Sequence, residues 1–117
     1  MMSIKGFYTH SASTGSSAGS GEYLLAIPGG YQIDTTTTGT APVGDMAEIP
    51  VGQLTVNTGA GNRGTGVVLA YNATNFKFCA WSSGGLNSNI TTIGGAFLPL
   101  NSSSLYNLYF TIDVPLL

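Results

Sequence analysis

Every second residue of the stretch Leu105–Val114 is apolar or aromatic: Tyr106, Leu108, Phe110, Ile112 and Val114. Between them stand Asn107, Tyr109, Thr111 and Asp113, which are polar or amphipathic. Period-two alternation with β-branched and aromatic residues throughout specifies a β-strand with one face in a core. Pro115 closes it, because proline has no N–H to give to a ladder. A half-buried strand of this length needs partners, and the rest of the chain is read as supplying them.

The partners are short. Glu22–Ile27 is apolar and is stopped by Pro28-Gly29-Gly30, which favours a strand over a helix. Tyr31–Thr38 ends in four threonines, whose β-branched side chains extend the strand reading. Ala41-Pro42-Val43-Gly44 is echoed by Ile49-Pro50-Val51-Gly52, two Pro-Gly turns around a short extended piece, Asp45–Ile49. A strand over Gln53–Asn57 follows. Thr65–Tyr71 and Phe76–Ser82 flank Asn72-Ala73-Thr74-Asn75 and read as a hairpin around a four-residue connection. Ile90–Ile93 is a short strand, and Ala96–Leu100 is an apolar piece around Pro99. Strands with turn signals between them at this spacing, and no sustained helical period, predict an all-β domain. The expected form is a compact antiparallel sandwich or barrel of about seven or eight short strands over residues 22–117.

Ahead of that domain, Ser11–Gly21 is a Gly/Ser-type spacer with nothing to bury. Met1–His10 carries three apolar anchors, Ile4, Phe7 and Tyr8. Anchors followed by a spacer read as an extended N-terminal arm over residues 1–21, docking on a neighbour, with a disordered terminus as the plain alternative. The N-terminus has no continuous apolar region of the signal-peptide kind, and no apolar run approaches the ~18 residues of a membrane span.

Charge decides which functions are open. Only Lys5, Arg63, Lys77, Glu22, Asp34, Asp45, Glu48 and Asp113 are charged, 7% of the chain, against about 25% in an ordinary globular domain. Solubility normally leans on surface charge. Such a chain either exposes a Ser/Thr/Asn surface or covers much of it with neighbours, which points to an oligomer or a large assembly. The few basic residues are scattered, so phosphate-directed nucleic-acid binding is excluded.

The chemical inventory is equally thin. His10 is the only histidine and lies beside the spacer, and the carboxylates are scattered. General acid–base, nucleophilic and metal chemistry all need such groups to converge. The chain is therefore read as no enzyme, with no metal and no cofactor. Gly59-Ala60-Gly61-Asn62-Arg63-Gly64 matches the dinucleotide pattern, but strand-like Val67-Val68-Leu69 follows it where a helix is required. It is read as a hairpin loop, with Arg63 at its tip available to an acidic neighbour. Asn72, Asn89 and Asn101 begin glycosylation-type triplets and are read as turn residues. Cys79, the lone cysteine, sits in an apolar strand and is read as a buried inert thiol, in keeping with synthesis in a reducing cytoplasm. Phe76, Phe78, Phe97, Phe110 and Tyr106 are assigned to the core. Tyr109, on the polar side of the last strand, is the leading candidate for contact with a partner, because tyrosine offers area at small entropic cost.

As a whole the chain resembles bacteriophage capsid decoration (cement) proteins, and less closely the distal domains of tail fibres. The likeness rests on the arm with its Ser11–Gly21 spacer, the near-absence of charge, and the Gly/Asn/Ser/Thr-rich loops. The form of Ala47-Glu48-Ile49-Pro50-Val51-Gly52-Gln53-Leu54 and the all-β tail from Gly94 to Leu117 add to it. The resemblance implies a viral structural protein, made in the host cytoplasm and seated on the capsid exterior, often as trimers, clamping neighbouring major capsid subunits. Decoration proteins share no short signature, so it carries no functional residue over. The residues expected to meet a partner are Ile4, Phe7, Tyr8, Arg63 and Tyr109. The fibre alternative implies a tip domain that recognises a host surface glycan through its Tyr and Asn residues.

Overall fold

A computed structural model of the chain describes residues 1–10, 23–39, 50–58, 63–81, 90–92 and 106–117. Among these residues seven strands run in chain order: β1 (Met2–His10), β2 (Leu24–Ala26), β3 (Gly52–Thr58), β4 (Arg63–Asn72), β5 (Asn75–Trp81), β6 (Ile90–Thr92) and β7 (Tyr106–Val114). All pair antiparallel in one sheet of order β1-β7-β3-β4-β5-β2. β6 shares the outer edge of β5 with β2, pairing with residues 79–81 where β2 pairs with 75–77. The all-β expectation holds, and between sandwich and barrel the sheet takes the form of a half-barrel.

The curl can be read from one contact. β7 and β5 stand three strand spacings apart, about 14 Å on a flat sheet. Yet the rings of Phe110 and Phe78 lie 5.4 Å apart between centroids, tilted by 44°. The sheet must bend to bring them together, and the pair lies within the range of favourable aromatic contacts. Inside the curl are Leu54 and Val56 of β3, Val68 and Ala70 of β4, Phe76 and Phe78 of β5, and Leu108, Ile112 and Val114 of β7, all buried. Each large apolar side chain in this group is worth roughly 1.5–3 kcal/mol of burial. The alternation that marks β7 in the sequence is realised: Leu108, Ile112 and Val114 point inward, while Tyr109, Thr111 and Asp113 are exposed.

Two glycines let backbones and rings approach. A Cβ at Gly52 in β3 would lie 2.2 Å from the Thr111 carbonyl oxygen of β7. A Cβ at Gly6 in β1 would lie 2.5 Å from Cζ of Phe110, so the ring occupies the space above that glycine.

The segment between β2 and β3 begins as a strap. Ile27 N–H donates to the Thr74 carbonyl and Ile33 N–H to the Ala73 carbonyl, both at 2.8 Å. Ile33 bridges to Leu116, and Leu117 N–H donates to the Gln32 carbonyl at 3.0 Å. The strap thus ties the β4–β5 turn to the segment after β7, with Ile27 and Ile33 buried in the core.

The structure departs from the sequence reading in four places. Met2–His10 does not stand apart as an arm: it forms β1 and pairs with β7 from Met2↔Val114 to His10↔Tyr106. The spacer Ser11–Gly21 lies outside the described residues, as do Asp45–Ile49, Phe97 and the Ala96–Leu100 piece. Thr35–Thr38 is a single helical turn, α1, not a strand. The reason is Asp34, whose Oδ1 accepts from the Thr36 and Thr37 N–H groups at 3.2 and 3.3 Å, and whose Oδ2 accepts from the Thr37 hydroxyl at 2.7 Å. An N-cap of this kind is worth about 1 kcal/mol, which offsets part of the helix cost of threonine, up to about 0.7 kcal/mol per residue. The β4–β5 connection is shorter than four residues, because the strands run through Asn72 and Asn75 and leave only Ala73-Thr74. Asn72 Oδ1 holds that turn by accepting from Thr74 N–H at 2.9 Å and Asn75 Nδ2 at 3.1 Å. Finally, Ile4 is on the inner side of β1, half-buried and packed against its own domain's core.

Candidate functional site

Because strand side chains alternate, the inner core of β1, β7 and β3 dictates what their outer face carries. The register places Lys5, Thr111 and Gln53 in one row across the three strands. Phe7, Tyr109 and Thr55 form the next row, and Thr9, Asn107 and Asn57 the one after. By register Arg63 extends that last row onto β4; its side chain lies outside the described residues. Phe7 is 72% exposed and Tyr109 49%, their ring centroids 6.3 Å apart and tilted by 30°. A shallow groove of about 440 Å³ runs along the pair, lined also by Lys5, Gln53 and Thr55.

Three charged residues fall on this face by register. Lys5 is exposed on β1, one row from Asp113 of β7, which accepts a hydrogen bond from the Ser3 hydroxyl, and Arg63 stands at the opposite end. What remains is aromatic area, hydroxyls and amides, which can bind a partner by contact and hydrogen bonding. Among the described residues no three His, Cys, Asp or Glu side chains come together as a metal site.

Of the residues singled out from sequence, the structure brings Phe7 and Tyr109 together as cross-strand neighbours. Tyr8 is on the inner side of β1 and 43% exposed, its hydroxyl 3.4 Å from Nδ1 of His10. It lines a second, apolar groove of about 400 Å³ with Tyr23, Leu25 and Phe110. Thr111 shares the polar side of the last strand with Tyr109, as its parity indicates. Gln53 and Thr55 are the additions the sequence reading lacks, although the signal is present: Gln53, Thr55 and Asn57 are polar where Leu54 and Val56 between them are apolar.

The outer face changes character towards β4 and β5. There Leu69 and Cys79 are buried, with Val67 packed against them, and Lys77 is fully buried beside Leu69, its register partner. Lysine is almost never buried unless paired, and Lys77 does have an interaction partner. Cys79 is buried as the sequence reading placed it. No helix among the described residues is long and apolar enough to cross a membrane. Compared with known proteins, the chain matches no family model, no curated protein and no solved structure.

Proposed function

We propose that the chain is a structural assembly protein of a phage-type virion, seated on the exterior of the capsid as a decoration protein, with the major capsid subunit as its partner. The observation that carries the proposal is the Phe7–Tyr109 pair, two large exposed rings side by side on the outer sheet face, flanked by Gln53, Thr55 and Thr111. Exposed aromatic area amid hydroxyl and amide groups suits a protein contact, whose core is typically depleted in charge and enriched in aromatics. Docking in this reading is by the face of β1, β7 and β3, not by a free arm, since Met2–His10 is already paired within its own sheet. The proposal includes self-association on the shell and no catalytic role.

The test is attachment of the purified protein to shells of the phage that encodes it. Wild type should co-sediment with shells, at a copy number on the scale of the shell's own subunits. Tyr109→Asp, with unchanged circular dichroism and unfolding, should lose most of that attachment. Full attachment by the variant would refute the face as the docking surface, and no attachment by wild type would refute the decoration role.

A second reading has its own support. A ring pair flanked by Gln53, Thr55 and Thr111 is also the composition that stacks on and hydrogen-bonds to a sugar. In that reading the chain is a fibre-tip domain binding a host surface glycan. Adsorption of wild type to host cells, absent from shells, would favour it.

A further inference from the structure

β1 is the outermost strand of the sheet, and among the described residues nothing pairs with its second edge. It runs nine residues in unbroken register with β7, without a bulge and without proline. Its only charged side chain is Lys5. Ser3, Lys5, Phe7, Tyr8 and Thr9 are all exposed. A long regular edge of this kind is a template for another strand, and proteins ordinarily blunt such an edge with charges, proline, bulges or a cover. Among the described residues one lysine is the whole defence.

We propose that this edge pairs with the β1 edge of a second copy of the chain, antiparallel about a two-fold axis at Gly6. Centring on Gly6 is the one antiparallel register in which all nine residues of each strand are paired. The side chains it brings together are compatible on both faces. On the outer face Lys5 of one copy lies beside Phe7 of the other, twice, a cation against an aromatic ring worth about 0.5–1 kcal/mol at an exposed site. Ser3 lies beside Thr9. On the inner side Ile4 lies beside Tyr8, an aliphatic–aromatic cross-strand pair. No two like charges stand opposite each other. The contact is isologous, so it closes with two copies, where the resemblance to decoration proteins implies three. It also joins the two Phe7–Tyr109 faces, each of three strands, into one continuous surface. The inference rests on the edge alone and does not depend on the shell reading, because Tyr109 is on β7 and takes no part in the pairing.

The experiment uses the full chain. Sedimentation equilibrium should give a monomer–dimer equilibrium. Ser3→Cys and Thr9→Cys chains, mixed, should be joined by a short bismaleimide. Each alone should not, since like positions stand about 20 Å apart in this register. The native Cys79 is buried and serves as the unreactive background. Both sites are exposed, so folding is checked simply by circular dichroism. Phe7→Lys places a lysine opposite Lys5 at both symmetric positions and should weaken dimerisation about tenfold, while Tyr109→Asp should leave it unchanged. A monomer at every concentration, a trimer, or cross-linking of like with like would each overturn the proposal.

Discussion

The outer side of this one sheet is two different surfaces. Over β1, β7 and β3 it is exposed and carries Phe7, Tyr109, Thr55 and Gln53. Over β4 and β5 it is buried, with Leu69 and Lys77 at 0% exposure and Cys79 at 1%. The first half obeys the usual rule for antiparallel sheets, apolar inward and polar outward; the second is buried on both faces around residues 67–69 and 77–79, with Lys77 among its apolar neighbours. The difference is written in the strands. Gln53, Thr55 and Asn57 alternate with Leu54 and Val56, whereas Thr65–Ala70 and Phe76–Ala80 contain apolar residues at consecutive positions. A partner-binding surface is therefore to be sought on the first half, and a second small core on the other.

Truncation on the buried half should have the largest effect. Leu69→Ala is expected to cost about 2–5 kcal/mol, measured by denaturant unfolding; a negligible cost would mean that the β4–β5 outer surface is not a core. Gly52→Ala tests the strand that joins the two halves. The added methyl meets the backbone of β7, which has little room to yield, and about 1–3 kcal/mol should be lost. Cys79→Ser should cost about 1–2 kcal/mol by burying a hydroxyl in place of a thiol. The native thiol should react with a soluble disulfide reagent only as fast as the protein unfolds, and prompt labelling would contradict its burial. Smallest of all, Tyr109→Asp should change stability by no more than about 0.5 kcal/mol, its consequence appearing in attachment alone. Unfolding by this variant would show that the exposed half is part of the folded core after all.

The legible parts of the fold were those whose signal is local and undiluted. β7 announces itself because five alternate positions are apolar without exception. The β4–β5 hairpin does so through its Asn-rich turn. β1 was not legible as a sheet strand. Gly6 interrupts its inner row, Phe7 and Tyr8 are adjacent aromatics, and the alternation that remains is too weak to fix a face. Its place is set by a partner at the other end of the chain and by a ring, Phe110, that only the fold puts over Gly6. α1 was missed for the opposite reason. A run of threonines argues for extended backbone, and a single carboxylate, Asp34, reverses it over four residues. Of the candidate site, Tyr109 was visible from the parity of β7. That Phe7 would stand beside it was not, since parity says nothing of which strands are neighbours. The burial of Lys77 had only a contextual sign, its position between Phe76 and Phe78.

The pairing of β1 with β7 also has a consequence in time. Ser3 and Asp113, which meet in the finished sheet, are 110 residues apart in the chain. At a synthesis rate of about 5–20 residues per second, roughly 5–20 seconds separate the two strands as they leave the ribosome. During that interval β1 has been made and its own partner has not. Strands awaiting a distant mate are the ones that slow folding and that find the wrong one. On a polysome, where nascent copies of this chain lie close together, another β1 is among the strands within its reach.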